Sequence, residues 1–148
     1  MEEPPLTASA IITFSEKLED ETSDFYQSLI EKFGKDEEIF QSFIKDSKRN
    51  KTLLIRTYQE TISDALEACF SFEGLKIRDY RIDTELGDKI SLSDSLKKAI
   101  DLEEVASKFY YDVAEKSDSL LATIPRVLKK IADRRKKRIQ KIKLVESQ

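Results

Sequence analysis

The 148-residue chain is long enough to bury one real core and too short to suggest several domains. With three Gly, three Pro, no Trp and 37% charged residues, it excludes a turn-rich β protein and points to an all-α one. A net charge of −3 gives the chain as a whole no nucleic-acid signature, and the absence of histidine removes the usual general base and the commonest metal ligand.

MEEPPLT reads as a frayed lead, residues 1–7. Helix 1 is expected over about residues 8–33, with Ile11, Phe14, Leu18, Phe25 and Leu29 inward at helical spacing. Gly34 suits its C-terminal turn, and Asp36 offers an N-cap for the next helix. Helix 2 is expected over about 37–68, with Phe40, Phe43/Ile44, Ser47, Asn50, Leu54, Tyr58, Ile62 and Ala65 inward. Residues 69–92 contain Gly74, Gly87 and the alternating run 75–82, and read as a long, partly extended crossover. Helix 3 (about 93–117) starts among the caps Ser91, Ser93 and Asp94 and turns Leu92, Leu96, Ala99, Glu103, Ala106, Tyr110 and Val113 inward. Helix 4 (about 124–145) starts near Thr123 and Pro125, with Ile124, Val127/Leu128, Ile131, Ile139 and Ile142 inward. The expected domain is thus one bundle over residues 8–145, made of two helical hairpins.

Cys69, the one cysteine, excludes an internal disulfide framework and reads as a small half-buried hydrophobe in a reducing compartment. No apolar run is long enough to span a bilayer, and the acidic start lacks the layout of a signal peptide. A cytoplasmic protein without membrane contact is the expectation.

The two hairpins echo one another. SEKLEDETSDFYQSLIEK (15–32) aligns with AIDLEEVASKFYYDVAEK (99–116), pairing Leu18 with Leu102, Glu19 with Glu103, Ser23 with Ser107 and Phe25-Tyr26 with Phe109-Tyr110. Such a repeat implies a helix pair copied and packed against itself. Each inward stripe is broken by polar residues: Glu19, Ser47 and Asn50, Glu103, and Arg135 and Arg138. Glu19 and Glu103 each stand seven residues before a tyrosine, within reach of its hydroxyl. Asp46 and Asp133 lie ~200° from their inward neighbours on the helical wheel, so they are expected to face water.

Ala99-Ile-Asp-Leu-Glu103 followed by Phe109-Tyr110 resembles the first-helix pattern of the ferritin-like superfamily, rubrerythrin type. The likeness covers both hairpins, roughly 8–66 and 91–143. It implies an antiparallel four-helix bundle with one long crossover, and a homodimer. It also implies a di-iron or di-manganese centre held by one Glu on each of two helices and Glu-x-x-His on each of the others. The lone Glu positions match Glu19 and Glu103. The Glu-x-x-His positions fall on Ser47-Lys-Arg-Asn50 and Arg135-Lys-Lys-Arg138. Guanidinium groups only donate hydrogen bonds and repel a dication, so the family's oxygen or peroxide chemistry is not carried over.

Three arrangements of the polar set are open. In the first, Glu19, Glu103, Arg135 and Arg138 form a neutral, metal-free network with Ser47 and Asn50. In the second, both arginines snorkel outward. In the third, Glu16, Glu19, Asp20, Asp101, Glu103 and Glu104 make a carboxylate-only metal site. No cofactor is expected; iron or manganese at Glu19 and Glu103 belongs to the alternative.

Residues 126–143 carry ten Lys and Arg against one acid, Asp133, whereas residues 1–38 carry eleven acids against three lysines. A solvated face paired with helix 1, or across a dimer, explains this most simply. The basic stretch lacks the interleaved aromatics of nucleic-acid readers, so nucleic acid is not the expected partner. The leading function is therefore a non-catalytic ferritin-like interaction or scaffold protein that has lost the ancestral di-metal site. The alternative is a divergent metal-binding protein of redox or stress handling, and the third is an anion or nucleic-acid binder acting through helix 4. Phe70, Phe72 and Tyr80 of the crossover are candidates for a dimer interface.

Overall fold

A computed structural model describes residues 6–62, 72–117 and 123–147. They form an antiparallel bundle of four helices: α1 (Ala8–Phe33), α2 (Glu37–Thr61), α3 (Leu92–Lys116) and α4 (Thr123–Glu146). Thr7 caps α1, its Oγ1 accepting from the Ala10 N–H at 3.1 Å. Gly34 ends α1 in the left-handed conformation (φ 62°), which costs glycine little. Asp36 follows two residues later, also left-handed (φ 53°), and its side chain caps nothing. An N-cap needs an extended backbone to aim its oxygen at the first-turn amides, and the tight α1–α2 turn denies it that. The Asp36 carbonyl instead accepts from the Ile39 and Phe40 N–H groups at 3.1 and 3.2 Å. Ser91 caps α3 through the Asp94 N–H (3.0 Å).

Helix α2 stops at Thr61, short of the expected end, with Ile62 extended behind it. Residues 63–68, Cys69 and Phe70 lie outside the described residues, as does the stretch just before Thr123. Leu6 and Thr7 are tied down rather than frayed: the Phe72 N–H donates to the Leu6 carbonyl at 2.8 Å in an isolated antiparallel bridge.

The rest of the crossover lies along the bundle through one 3₁₀ turn, Ile77–Tyr80. Phe72 and Tyr80 are 3% and 6% exposed, so the expectation that they supply an interface fails. The Tyr80 ring meets Phe109 edge-on at 5.2 Å, and its hydroxyl donates to Asp112 at 2.6 Å. Leu75, Tyr80 and Ile82 of the run pack against the apolar core of the bundle. Lys98 clips the far end, donating to Asp83 and to the Glu85 carbonyl, both at 2.8 Å.

Two apolar clusters fill the bundle. One gathers Ile11, Leu18, Leu54, Phe109, Val113, Leu128 and Ile131. The other gathers Phe25, Leu29, Phe40, Phe43, Leu96, Leu102 and Ile142. Along all four helices a belt of polar side chains separates them. Among the described residues, no helix is long and apolar enough to cross a membrane.

Candidate functional site

The polar belt brings together the six residues singled out in the sequence: Glu19, Ser47, Asn50, Glu103, Arg135 and Arg138. None is more than 2% exposed, so water does not screen their charges and each must find its partner within the protein. Both arginines point inward, which sets aside the snorkelling arrangement.

Arg135 bridges the two carboxylates. Its Nη1 donates to Glu103 Oε1 and Oε2 at 2.8 and 2.9 Å. Its Nη2 donates to Glu19 Oε2 and, at 3.2 Å, to Thr22 Oγ1. Arg138 takes the outer side of Glu103, with Nη1 donating to Oε1 at 3.1 Å. Its other nitrogens leave the core for Asp46: Nη2 at 2.6 Å and Nε at 3.2 Å from Oδ2. The Phe43 ring lies 5.6 Å from the Arg138 guanidinium carbon, within cation–π range.

Neutral donors complete the shells. Asn50 Nδ2 donates to Glu19 Oε1 at 2.9 Å, while its Oδ1 accepts from Arg134 Nη1 at 2.9 Å. The tyrosines cross over. Tyr26 of the first hairpin donates to Glu103 of the second at 2.8 Å, and Tyr110 of the second donates to Glu19 of the first at 3.1 Å. Ser47 Oγ and Arg135 Nε are buried without a hydrogen-bond partner among the described residues.

The electrostatics follow from this pairing. Burial pulls the Arg135 pKa down, but the facing Glu103 and Glu19 carboxylates more than offset it and hold it well above the usual value. Arg138 is likewise lowered by burial and raised further by Glu103. Both guanidiniums are therefore charged at any physiological pH. Burial, reinforced by Glu103 and Glu19 respectively, pushes the Tyr26 and Tyr110 hydroxyls well above the usual phenol value, so both stay protonated donors. Glu19 and Glu103 against Arg135 and Arg138 sum to zero charge, and Asp46 supplies acceptor capacity that two carboxylates cannot.

Sequence reasoning missed three members, Asp46, Thr22 and Arg134. Asp46 does not face water freely: its side chain is 26% exposed and ion-paired to Arg138. The wheel fixes where a residue leaves its helix, but not how far an arginine reaches to meet it. A donor count was the available signal, since two guanidiniums carry more N–H groups than two carboxylates accept. Thr22 and Arg134 gave no periodic signal, and the crossing of the tyrosines depends on the packing of hairpin against hairpin. Glu16, Asp20, Asp101 and Glu104 lie outside the belt; Asp20 pairs with Lys51 at 2.9 Å. Among the described residues, no group of three or more His, Cys, Asp or Glu is placed to hold a metal.

No protein-family model matches the chain, and no curated protein matches it in sequence. A solved structure does match: a Thermotoga maritima protein whose description as a ferritin-like diiron-carboxylate protein is itself provisional. The two superpose with a TM-score of 0.75 over 99% of each chain at 19% identity. The fold is ferritin-like.

Proposed function

We propose that this chain is a non-catalytic interaction or scaffold protein on the ferritin-like fold, with two arginines standing where metal ions would otherwise balance the carboxylates. The observation that carries this reading is the Arg135 guanidinium, hydrogen-bonded to Glu19 and Glu103 at once. A di-metal centre in such a bundle takes four carboxylates and two imidazoles. At the six matching positions this belt offers two carboxylates, an amide, a hydroxyl and two groups that donate only, a donor set that does not suit the metal pair.

The competing reading, a divergent iron or manganese protein of redox or stress handling, draws on the diiron description of the structural neighbour. It requires both guanidiniums to withdraw from a buried carboxylate, at roughly 3–5 kcal/mol for each broken pair. A homodimer remains part of the proposal. Its interface lies elsewhere than on Phe72 or Tyr80.

Metal content decides between the two readings. Protein purified from iron- and manganese-supplemented cells, and again after anaerobic incubation with Fe²⁺, is expected to carry no stoichiometric metal. About two ions per chain, lost on Glu19→Ala, would overturn the proposal.

A further inference from the structure

On the outer face where α2 meets α4, a hollow of about 240 Å³ is lined by Asp46, Arg49, Arg134, Lys137, Arg138 and Lys141. Five cations surround one acid. That acid, Asp46, is already ion-paired, through Nη2 at 2.6 Å and Nε at 3.2 Å, to Arg138, which it shares with Glu103. Arg134 is half-buried and held in place, its Nη1 donating to Asn50, which in turn grips Glu19. Arg49, Lys137 and Lys141 are exposed, and among the described residues none has an ion-pair or hydrogen-bond partner. Arg49, Arg134, Lys137 and Lys141 therefore converge on a concavity whose one carboxylate, Asp46, is already ion-paired. Like charges so gathered repel one another and raise the local affinity for an anion.

We propose that this hollow binds a small anion carrying two or more phosphate groups. Arg134 would supply a fixed planar fork and Lys137, Lys141 and Arg49 mobile charge around it, the combination that suits phosphate oxygens. The volume fits a short phosphate chain, and only the buried Phe43 contributes an aromatic ring, so there is no exposed platform on which bases would stack. A flat anionic bilayer would meet the lysines at the rim and leave Arg134 untouched. The proposal goes beyond the scaffold reading and does not depend on it, because Arg49, Lys137 and Lys141 lie on the exposed outer face and form no hydrogen bond or ion pair with the belt among the described residues, although Arg134, Arg138 and Asp46 reach both.

Calorimetric titration of the full chain with tripolyphosphate at low salt tests it. One tripolyphosphate is expected per chain, with binding weakened by added salt. The Arg49→Ala/Lys137→Ala pair, both exposed, is expected to lower affinity by roughly tenfold or more. Arg126→Ala/Lys129→Ala removes the same charge from the neighbouring hollow on α4 and is expected to change affinity by less than about twofold. Sulfate, with a single tetrahedral anion, is expected to bind at least about tenfold more weakly than tripolyphosphate. Equal weakening by the two pairs, several anions per chain, or sulfate as tight as tripolyphosphate would each indicate diffuse attraction and overturn the proposal. None of these outcomes alters the metal-content result.

Discussion

The two hairpins contribute matching acids to the belt and unmatched bases. Each provides one buried glutamate and one buried tyrosine seven residues later, and each tyrosine serves the other hairpin's glutamate. The symmetry stops there. Both inner arginines come from α4, while the facing positions of α2 carry Ser47 and Asn50. Glu103 thus holds two guanidiniums and a phenol, and Glu19 holds one guanidinium, a phenol and an amide. Two hairpins can match in backbone and carboxylates while the countercharge sits almost wholly in one of them.

The sharpest way to break this arrangement is to remove the shared cation. Arg135→Met leaves two carboxylates buried with less than their countercharge, and is expected to cost ~3–5 kcal/mol in urea denaturation. A loss below about 1 kcal/mol would show the pairing to be dispensable. The asymmetry itself is tested by two smaller changes. Glu103→Gln strips the charge facing two guanidiniums and is expected to cost about 3 kcal/mol, against about 1.5–2 kcal/mol for Glu19→Gln. Equal losses, or the reverse order, would mean that the hairpins share the load evenly.

The smallest effect concerns the crossing phenols, and it appears at high pH. Tyr26 and Tyr110 have folded pKa values raised above the unfolded value of about 10, by burial first and the facing carboxylates second. Above that pH the unfolded chain releases protons that the folded one keeps, so their contribution is complete below pH ~10 and is lost as pH rises beyond it. Stability is expected to fall from pH 9 to 11.5, and less steeply in Tyr26→Phe/Tyr110→Phe. At neutral pH each phenol is worth only about 1 kcal/mol. Absorbance at 295 nm should show both residues silent until the chain unfolds; their ionisation in the folded protein would contradict the burial.

Much of this was legible from residue spacing. The stripes located four helices, and the polar breaks at Glu19, Asn50, Glu103, Arg135 and Arg138 stood out because inward positions are otherwise apolar. Spacing within one helix says nothing about which partner a side chain selects across the bundle. That is why the tyrosine crossing and the Asn50–Arg134 contact went unread. Asp46 was misplaced because a wheel treats side chains as points on a circle, whereas an arginine spans from core to surface. Phe72 and Tyr80 are covered by their own bundle, because the apolar side of the crossover forms part of its wall, which spacing along the chain does not reveal.

Arg135 has one further consequence. The positive charge seated between Glu19 and Glu103 is a side chain of α4, so it is made by the ribosome together with its counterions, one per polypeptide. It cannot be starved, exchanged or stripped by a chelator. Under the scaffold reading proposed above, the centre of this bundle reaches its final form when the backbone does.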